Sequence, residues 1–323
     1  MMAMLMKKHV AGAATRRYGR RRGWLWVGPG NKSGASLEPM WRGWLWIGPA
    51  ILLVVIFFMY PLLNTLVTSF QNADATHFVG LKNYQTIFTS AVTLEVLKNN
   101  LLWLLLGTIL TVGLGLLVAV LVNHIKAESL VKSALFVPMA ISFVGAGIIW
   151  RLVYLYQPAG ETQIGLLNAL LARMQLPPQA WLVNSAFNNY AMILVYTWMW
   201  TGFCMVILSA GLKNIPEDLI EAAKIDGAGR WMMFWHITVP QIRPTLAVVI
   251  TTMLINVLKI FDIIYVMTGG NYHTDVVALE FYNQLFSFNN YGLASALAVL
   301  LLLAIVPVIY FNIRRMHAEE KLR

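Results

Sequence analysis

Apolar positions are concentrated in six stretches of the chain that are almost free of charged residues. Five of them contain 20 to 22 residues and one contains 16: residues 44–63, 101–122, 135–150, 192–212, 246–267 and 293–313. A helix of about 20 residues crosses the hydrocarbon layer of a bilayer. The shortest stretch reaches this length if it extends to about residue 156, with Arg151 directed to the interface. Because no stretch shows strand-like alternation, the pattern predicts an all-α integral membrane protein with six transmembrane helices.

The composition supports the membrane prediction and excludes other classes. Hydrophobic residues make up 59% of the 323 positions and charged residues only 12%, whereas soluble domains carry about 25% charged residues. A disordered chain and an ordinary soluble enzyme are therefore excluded. The single cysteine, Cys204, excludes an intrachain disulfide and a cysteine-based metal site. The six histidines show no ligand spacing, so the sequence predicts no metal site.

Basic residues alternate between the two sides of the six stretches. Nine lie in the first 42 residues, two in the loop after the second stretch, four in the loop after the fourth and four after the sixth, out of 24 in total. The positive-inside rule then places both termini in the cytoplasm, so the net charge of +10 is not interpreted as a sign of nucleic-acid binding. We predict a flexible basic tail (1–42), a six-helix transmembrane domain (43–316) and a short cytoplasmic tail (317–323).

The loops contain three predicted helical segments. On the outer side, we expect a short helix near residues 83–89 and an amphipathic helix at 164–174. The cytoplasmic loop 213–243 is long for a connection between bundled helices. Its first helix begins at Pro216, with acidic residues in the first turn, and ends at Gly227. A second helix is expected over 229–237, and Pro240 and Pro244 close the unit.

The 213–243 loop resembles the signature loop of binding-protein-dependent ABC importer permeases. The matching residues are Glu221-Ala222-Ala223-Lys224-Ile225-Asp226-Gly227 and Ile237-Thr238-Val239-Pro240. Val239 is the one departure, because leucine is usual there. The resemblance implies a type I ABC importer permease fold and a location in the inner membrane. It also implies a coupling helix that docks on an ATPase, with these residues in the contact: Glu221, Ala222, Ala223, Asp226, Gly227, Ala228 and Pro240.

Two further segments are similar to carbohydrate permeases of the maltose and glycerol-phosphate type. The run 259–270 resembles their fifth-span signature, whereas the continuation from Asn271 and the run 136–143 resemble the α-glucoside, trehalose and glucosylglycerol subgroup. The resemblance implies import of a di- or oligosaccharide such as trehalose, maltose or sucrose by alternating access. It also implies a heterodimer with a second, similar permease subunit, two copies of an ABC ATPase subunit, and an extracytoplasmic sugar-binding protein or lipoprotein.

The chain contains no G-x-x-x-x-G-K-[ST] phosphate-binding loop. ATP and Mg²⁺ are therefore expected on the partner ATPase, and this chain is predicted to be neither an enzyme nor the holder of a cofactor. Intramembrane polar residues indicate a transport path. Asn256, Lys259 and Asp262 are spaced to lie on one broad face of a helix in the fifth stretch, and Asn256 and Lys259 are assigned to the path. Resemblance to maltose-type permeases adds five residues to that path: Met139, Phe143, Tyr196, Trp200 and Phe203.

Two alternatives remain open at this point. Aromatic residues in membrane helices also serve as packing or interface anchors, and a Lys259–Asp262 pair could join the fifth stretch to a neighbour. An ion-coupled secondary transporter that uses Lys259 and Asp262 is the alternative function, although it leaves the Glu-Ala-Ala loop unexplained. A membrane enzyme is disfavoured because no set of catalytic groups converges.

Overall fold

The computed structural model describes residues 40–123, 125–158 and 160–320, with side chains described over 46–123, 125–158 and 160–315. The chain divides into two units, residues 1–55 and 56–323. The described part of the first unit is essentially one helix, α1 (Met40–Val54). Residues 1–39 of the predicted N-terminal tail (1–42) lie outside the described residues. Residues 321–323 of the predicted C-terminal tail lie outside them as well.

The second unit consists of fifteen α-helices over its described residues, linked by turns, short π and 3₁₀ segments and loops. In chain order they are α2 (Tyr60–Thr68), α3 (Lys82–Thr89), α4 (Ala91–Leu102), α5 (Thr108–Val122), α6 (Glu128–Phe136), α7 (Phe143–Val153), α8 (Leu166–Arg173), α9 (Asn188–Lys213), α10 (Glu217–Ile225), α11 (Arg230–Met233), α12 (Val239–Gln241), α13 (Arg243–Leu258), α14 (Asp262–Met267), α15 (Val277–Tyr282) and α16 (Tyr291–Glu320). The one β-type contact among the described residues is a bridge between Gln71 and Phe78.

Among the described residues, four helical segments are long and apolar enough to cross a membrane: Trp46–Thr68, Ala91–Val122, Asn188–Lys213 and Tyr291–Arg315. They correspond to the first, second, fourth and sixth predicted stretches. The third and fifth predicted stretches correspond to bent helix pairs, so the described residues contain up to six spans if each pair counts as one. The all-α prediction is confirmed, and two of the six helices depart from the straight form expected from their sequence.

The third predicted span is bent rather than straight. Helical segments Glu128–Ala140 and Phe143–Val153 meet at an angle of 98°. Pro138 has no N–H and lies in a single 3₁₀ turn at Val137–Ala140. Ser142 is extended, and its hydroxyl accepts a hydrogen bond of 3.0 Å from the Gly145 N–H, which starts α7 as a new helix.

The fifth predicted span, 246–267, is also interrupted. Helix α13 ends at Leu258, and α14 begins at Asp262 after a non-helical turn. Ile260 is buried in this turn, and the Phe261 ring stacks on Tyr265 with 5.2 Å between centroids. The expectation that Asn256, Lys259 and Asp262 share the face of one helix is therefore wrong, because packing of the turn overrides the helical pattern.

The α9 helix is the most buried of the candidate spans and forms the centre of the core. It packs against α5 at Gly115, where a methyl group would come 2.5 Å from the Cys204 Cβ. It also packs against α6, because the backbone of Leu135 occupies the place where Gly202 would carry a side chain. Small residues at these crossings bring helix backbones close together, which is a common way for membrane helices to associate.

The loop between α14 and α15 is held against two membrane helices by asparagines. The Asn99 amide of α4 donates to the carbonyl oxygens of His273 and Asp275, both at 2.9 Å. The Asn188 amide of α9 donates to the Tyr272 carbonyl at 2.7 Å, and the Asn100 side chain accepts from the Val277 N–H at 3.0 Å. We call residues 268–277 the clamped loop.

Candidate functional site

The α10 helix and the turn after it form the core of the predicted coupling segment. Glu217 and Asp218 lie in its first turn and Lys224 in its last turn, where each charge is favoured by the helix dipole. Gly227 follows with a φ of +81°. The Ala228 N–H donates to the Ala223 carbonyl at 2.9 Å, and the Gly227 N–H donates to the Lys224 carbonyl at 3.1 Å. These two bonds define a Schellman turn.

Most of the predicted coupling residues lie on an open surface. Glu221, Ala222, Asp226 and Gly227 are exposed, whereas Ala223 is buried. Ile225 next to them is 86% exposed. A surface of small and acidic residues beside an exposed apolar side chain can accept another protein at close range.

The second half of this segment differs from the predicted helix 229–237. It consists of the short helix α11, a π turn at Phe234–Thr238 and the single turn α12. Pro240 lies in α12 after the π turn, and the bend of 72° falls after Gln241, between Pro240 and Pro244. Pro244 lies in the first turn of α13 and starts that helix.

The predicted transport path coincides in part with a cavity of about 220 Å³. Four of its lining residues were predicted, namely Phe143, Tyr196, Asn256 and Lys259. The interruption between α13 and α14 supplies the other three: Ile260, Phe261 and Asp262. Sequence analysis missed Phe261 as a lining residue, since a regular helix would carry it on a different face from Asn256.

The other three predicted path residues do not line this cavity. Trp200 contacts two of its walls, with ring centroids 6.2 Å from both Phe143 and Tyr196, and Phe203 packs edge-on against Trp200 at 5.4 Å. Met139 lies in the 3₁₀ turn before α7. Trp200 and Phe203 therefore pack behind the cavity wall, and Met139 lies beside it.

The cavity presents both aromatic faces and hydrogen-bonding groups. The Asn256 amide donates to the Thr252 carbonyl at 2.9 Å, which leaves its oxygen available as an acceptor. The Tyr196 hydroxyl is directed to the Met253 sulfur at 4.0 Å. Lys259 is exposed, and the ion pairs of the described side chains do not include Lys259 with Asp262. Such a mixture of rings, amide and charged groups suits a polyhydroxylated ligand.

Two carboxyl groups meet under the clamped loop. Asp275 and Glu280 line a cavity of about 480 Å³, together with Asn271 and Gln284. Burial raises the pKa of Asp275 to about 8, and the hydrogen bond with the Glu280 carboxyl acts in the same direction. The Gln284 amide donates to Glu280 at 2.8 Å. This arrangement holds the loop and contributes no group to the 220 Å³ cavity.

The comparisons with known proteins identify the class of this chain. Residues 111–316, more than half of the chain, match the family "Binding-protein-dependent transport system inner membrane component". The chain therefore belongs to this family of membrane permeases, and it is a transport component rather than an enzyme. The sequence-based resemblance and the multi-pass inner-membrane location are confirmed, whereas the orientation of the termini stays a prediction.

Individual relatives cover most of the chain. It is 53% identical over 274 residues to the osmoprotective compounds uptake permease protein GgtC of Synechocystis, covering 85% of this chain and 98% of GgtC. It is 41% identical over 272 residues to the alpha-glucoside transport system permease protein AglF of Rhizobium meliloti, covering 84% of this chain and 81% of AglF.

A solved structure confirms the permease fold. The crystal structure of a bacterial ABC transporter involved in import of the acidic polysaccharide alginate has a chain that matches with a TM-score of 0.72. The two are 24% identical, and the match covers 85% of this chain and 96% of that chain. The likeness supports the fold alone.

Proposed function

We propose that this chain forms one half of the translocation pathway of an ATP-driven importer for α-glucoside-type di- or oligosaccharides. The candidate substrates are trehalose, maltose, sucrose and a glucosylglycerol-like osmoprotectant. The observation that carries the proposal is the cavity at the interruption of the fifth span, where aromatic rings and an amide face one volume. Aromatic faces pack on the C–H faces of a pyranose ring, while the amide meets its hydroxyl groups.

The relatives support this choice of substrate class. GgtC is named for osmoprotective compounds and AglF for alpha-glucosides. We infer the same chemistry here because both relatives extend over more than four fifths of this chain. An aromatic wall without an excess of cationic side chains also suits a neutral sugar better than an acidic one.

The proposed mechanism is alternating access within a larger complex. Both termini lie in the cytoplasm, and the exposed segment from α10 to Gly227 contacts one of two ABC ATPase subunits. A second, similar permease subunit completes the pathway, and an extracytoplasmic sugar-binding protein delivers the substrate. ATP and Mg²⁺ bind to the ATPase, which moves α10 and thereby changes the side on which the cavity opens.

Within the cavity, the proposal gives different roles to the lining residues. Phe143, Tyr196 and Phe261 supply rings for the sugar faces, and Asn256 supplies the amide acceptor. Lys259 is an exposed donor at the rim. Trp200 and Phe203 hold these rings in place, and Met139 lies next to the cavity.

The test is sugar uptake by the complex reconstituted in proteoliposomes, with a panel of disaccharides and glucosides. Loss of one neutral hydrogen bond costs about 1 kcal/mol, so Asn256→Ala should raise KM for the preferred sugar by about five-fold to tenfold. The exposed Asn214 provides the control, and Asn214→Ala should leave KM unchanged. Equal KM values in both variants would remove Asn256 from the path.

The same preparation distinguishes the alternative function. Uptake that requires ATP and the ATPase subunit supports the proposal. Uptake that follows an ion gradient without ATP would instead support a secondary transporter that uses Lys259 and Asp262. Transport of none of the sugars, with ATP-driven uptake of another solute class, would overturn the substrate assignment but not the family.

A further inference from the structure

We propose that α8 lies in the plane of the membrane interface and packs its outward face on lipid. The inference concerns a surface outside the proposed transport path. It relies on α7 being the end of a membrane span, as proposed above, and not on the identity of the substrate.

The outward face of α8 is apolar and has no partner within the described part of the chain. Leu166 and Leu170 are one helical turn apart and are 58% and 46% exposed. Ile164 before the helix and Met174 after it extend the same surface and are 66% and 69% exposed. A contiguous apolar stripe of this kind is costly in water and indicates an interaction surface.

The opposite face fixes α8 to the end of α7. Asn168 is fully buried, and its amide donates to the Leu155 carbonyl at 2.9 Å and to the Gln179 carbonyl at 3.0 Å. Gly165 lies directly against the Leu155 backbone, where a side chain would not fit. Leu155 is two residues beyond the end of α7 at Val153, so Asn168 lies within about 10 Å of that helix end.

An aromatic cluster joins the end of α7 to the loop that follows α8. Tyr154, the residue that ends α7, contacts Trp150 and Trp181 with ring centroids 5.3 Å and 6.1 Å apart. Tyr154 is only 4% exposed, and its hydroxyl donates to the Ala191 carbonyl at 3.1 Å. The cluster therefore fixes the end of α7 and the loop after α8 to the protein core, while the outward face of α8 stays uncovered by the described residues.

Lipid also explains the composition of the exposed face better than a water-filled space does. The exposed side of α7 is apolar like the stripe on α8, since its Ile148 and Leu152 are 52% and 62% exposed. Arg173 is exposed at the end of α8, and its long side chain can bring a guanidinium to lipid phosphates while its methylenes stay among apolar groups. An apolar face with an arginine at its edge is typical of interfacial helices.

The experiment measures the depth of a spin label on α8. Replacing the buried Cys204 by alanine keeps the Cβ that contacts Gly115, and it provides a background without cysteine. A nitroxide is attached at Leu170→Cys, and in a separate variant at Glu161→Cys, an exposed polar position of the same loop. The full chain is reconstituted in vesicles of phosphatidylethanolamine and phosphatidylglycerol, and power saturation compares collisions with oxygen and with a water-soluble nickel complex.

We expect the nitroxide at position 170 to collide mainly with oxygen and the nitroxide at position 161 to collide mainly with the nickel complex. The ratio of the two collision rates, which reports depth in the membrane, should therefore differ in direction between the two positions. Nickel access at position 170 equal to that at position 161 would show that the face is in water. Shielding of position 170 from both reagents would show that a protein covers it. Either result overturns the proposal.

Met174→Cys repeats the measurement at a second exposed site if Leu170→Cys does not fold. Since the readout requires no transport, it stands or fails separately from the proposed sugar import.

Discussion

At the scale of single residues, buried amides and carboxyls hold a loop in an unfavourable backbone shape. Tyr272 and His273 have φ values of +58° and +66°, in the left-handed region that side chains with a Cβ rarely adopt. Hydrogen bonds from Asn99 and Asn188 to the carbonyls of these residues stabilise that shape. The His273 ring adds a hydrogen bond of 2.5 Å between its Nδ1 and the Glu95 carboxyl group.

Asp275 in this loop makes stability depend on pH. Its pKa is raised to about 8, compared with about 3.9 for an unperturbed aspartate. Between these values the folded protein keeps a proton that the unfolded chain has released. Because the folded state then binds more protons, stability falls as the pH rises through this window, and the dependence ends above pH 8.

Asp275→Asn should remove this dependence. An amide can donate to Glu280 at every pH, so the unfolding temperature of the variant should change less than that of the wild type between pH 5 and pH 8. Thermal unfolding in detergent at several pH values provides the measurement. The exposed Asp74 is the control, because the unfolding temperature of Asp74→Asn should change with pH as it does in the wild type. The same change with pH in Asp275→Asn would show that Asp275 does not cause the pH dependence.

At the scale of elements, one glycine determines where the predicted coupling helix ends. A Cβ added at Gly227 would meet nothing within 4 Å, so the requirement for glycine comes from its φ of +81° and not from crowding. The left-handed region costs an ordinary residue roughly 1 to 2 kcal/mol, whereas asparagine visits it more readily. The expected effect of a substitution therefore follows backbone preference rather than size.

Gly227→Val should abolish sugar uptake, whereas Gly227→Asn should retain a substantial part of it. Gly229 is a matched control, because it is equally uncrowded and has an ordinary φ of −68°. Gly229→Val should therefore transport normally. Uptake in proteoliposomes is measured together with sugar binding by the soluble receptor, which all three variants should leave intact. An equal loss of sugar uptake in Gly227→Val and Gly227→Asn would show that the size of the side chain, and not its backbone preference, determines the effect.

A second pair of glycines tests how helices α5 and α9 pack. Gly115 touches Cys204 across the helix crossing, whereas Gly113 has nothing within 4 Å on the exposed side of the same helix. Overpacking costs about 1 to 3 kcal/mol, so Gly115→Val should lower the unfolding temperature clearly more than Gly113→Val. Thermal unfolding of both variants in one detergent measures the difference. Similar unfolding temperatures in the two variants would mean that the crossing of α5 and α9 adapts to a larger residue.

At the scale of the whole molecule, charge distribution predicts the orientation of the chain in the membrane. The segments before residue 44, between residues 122 and 135, between residues 212 and 246, and after residue 313 carry 19 of the 24 basic residues. The clamped loop, in contrast, contains no lysine or arginine. The positive-inside rule places the clamped loop outside the cell and α10 inside.

Single-cysteine labelling on the Cys204→Ala background tests this orientation. A membrane-impermeant maleimide added to intact cells should label Asn271→Cys in the clamped loop and leave Lys224→Cys in α10 unlabelled. Both positions are exposed, so disruption of the membrane should make both reactive and serves as the control. Labelling of position 224 in intact cells would reverse the proposed topology.

Much of the architecture could be predicted because it depends on local properties of the chain. Span length, the charge on each side and the signature residues Glu221, Ala222, Ala223 and Gly227 are all visible in sequence order. The candidate cavity was predicted only in part. Phe261 was missed because a periodic pattern assumes that a helix is continuous. Phe203 was assigned to the path by resemblance, and in the structure it packs behind Trp200 instead of lining the cavity.

The sequence by itself determined the membrane class and the transport family, and it named four of the residues that line the candidate cavity, since each is visible in contiguous segments. Only the tertiary structure decided where the third and fifth spans bend and which side chains share the cavity. Contacts between distant residues lie beside those bends, such as Leu135 against Gly202 and Phe261 against Tyr282. Such packing overrides helical periodicity, because it buries groups that no local pattern brings together.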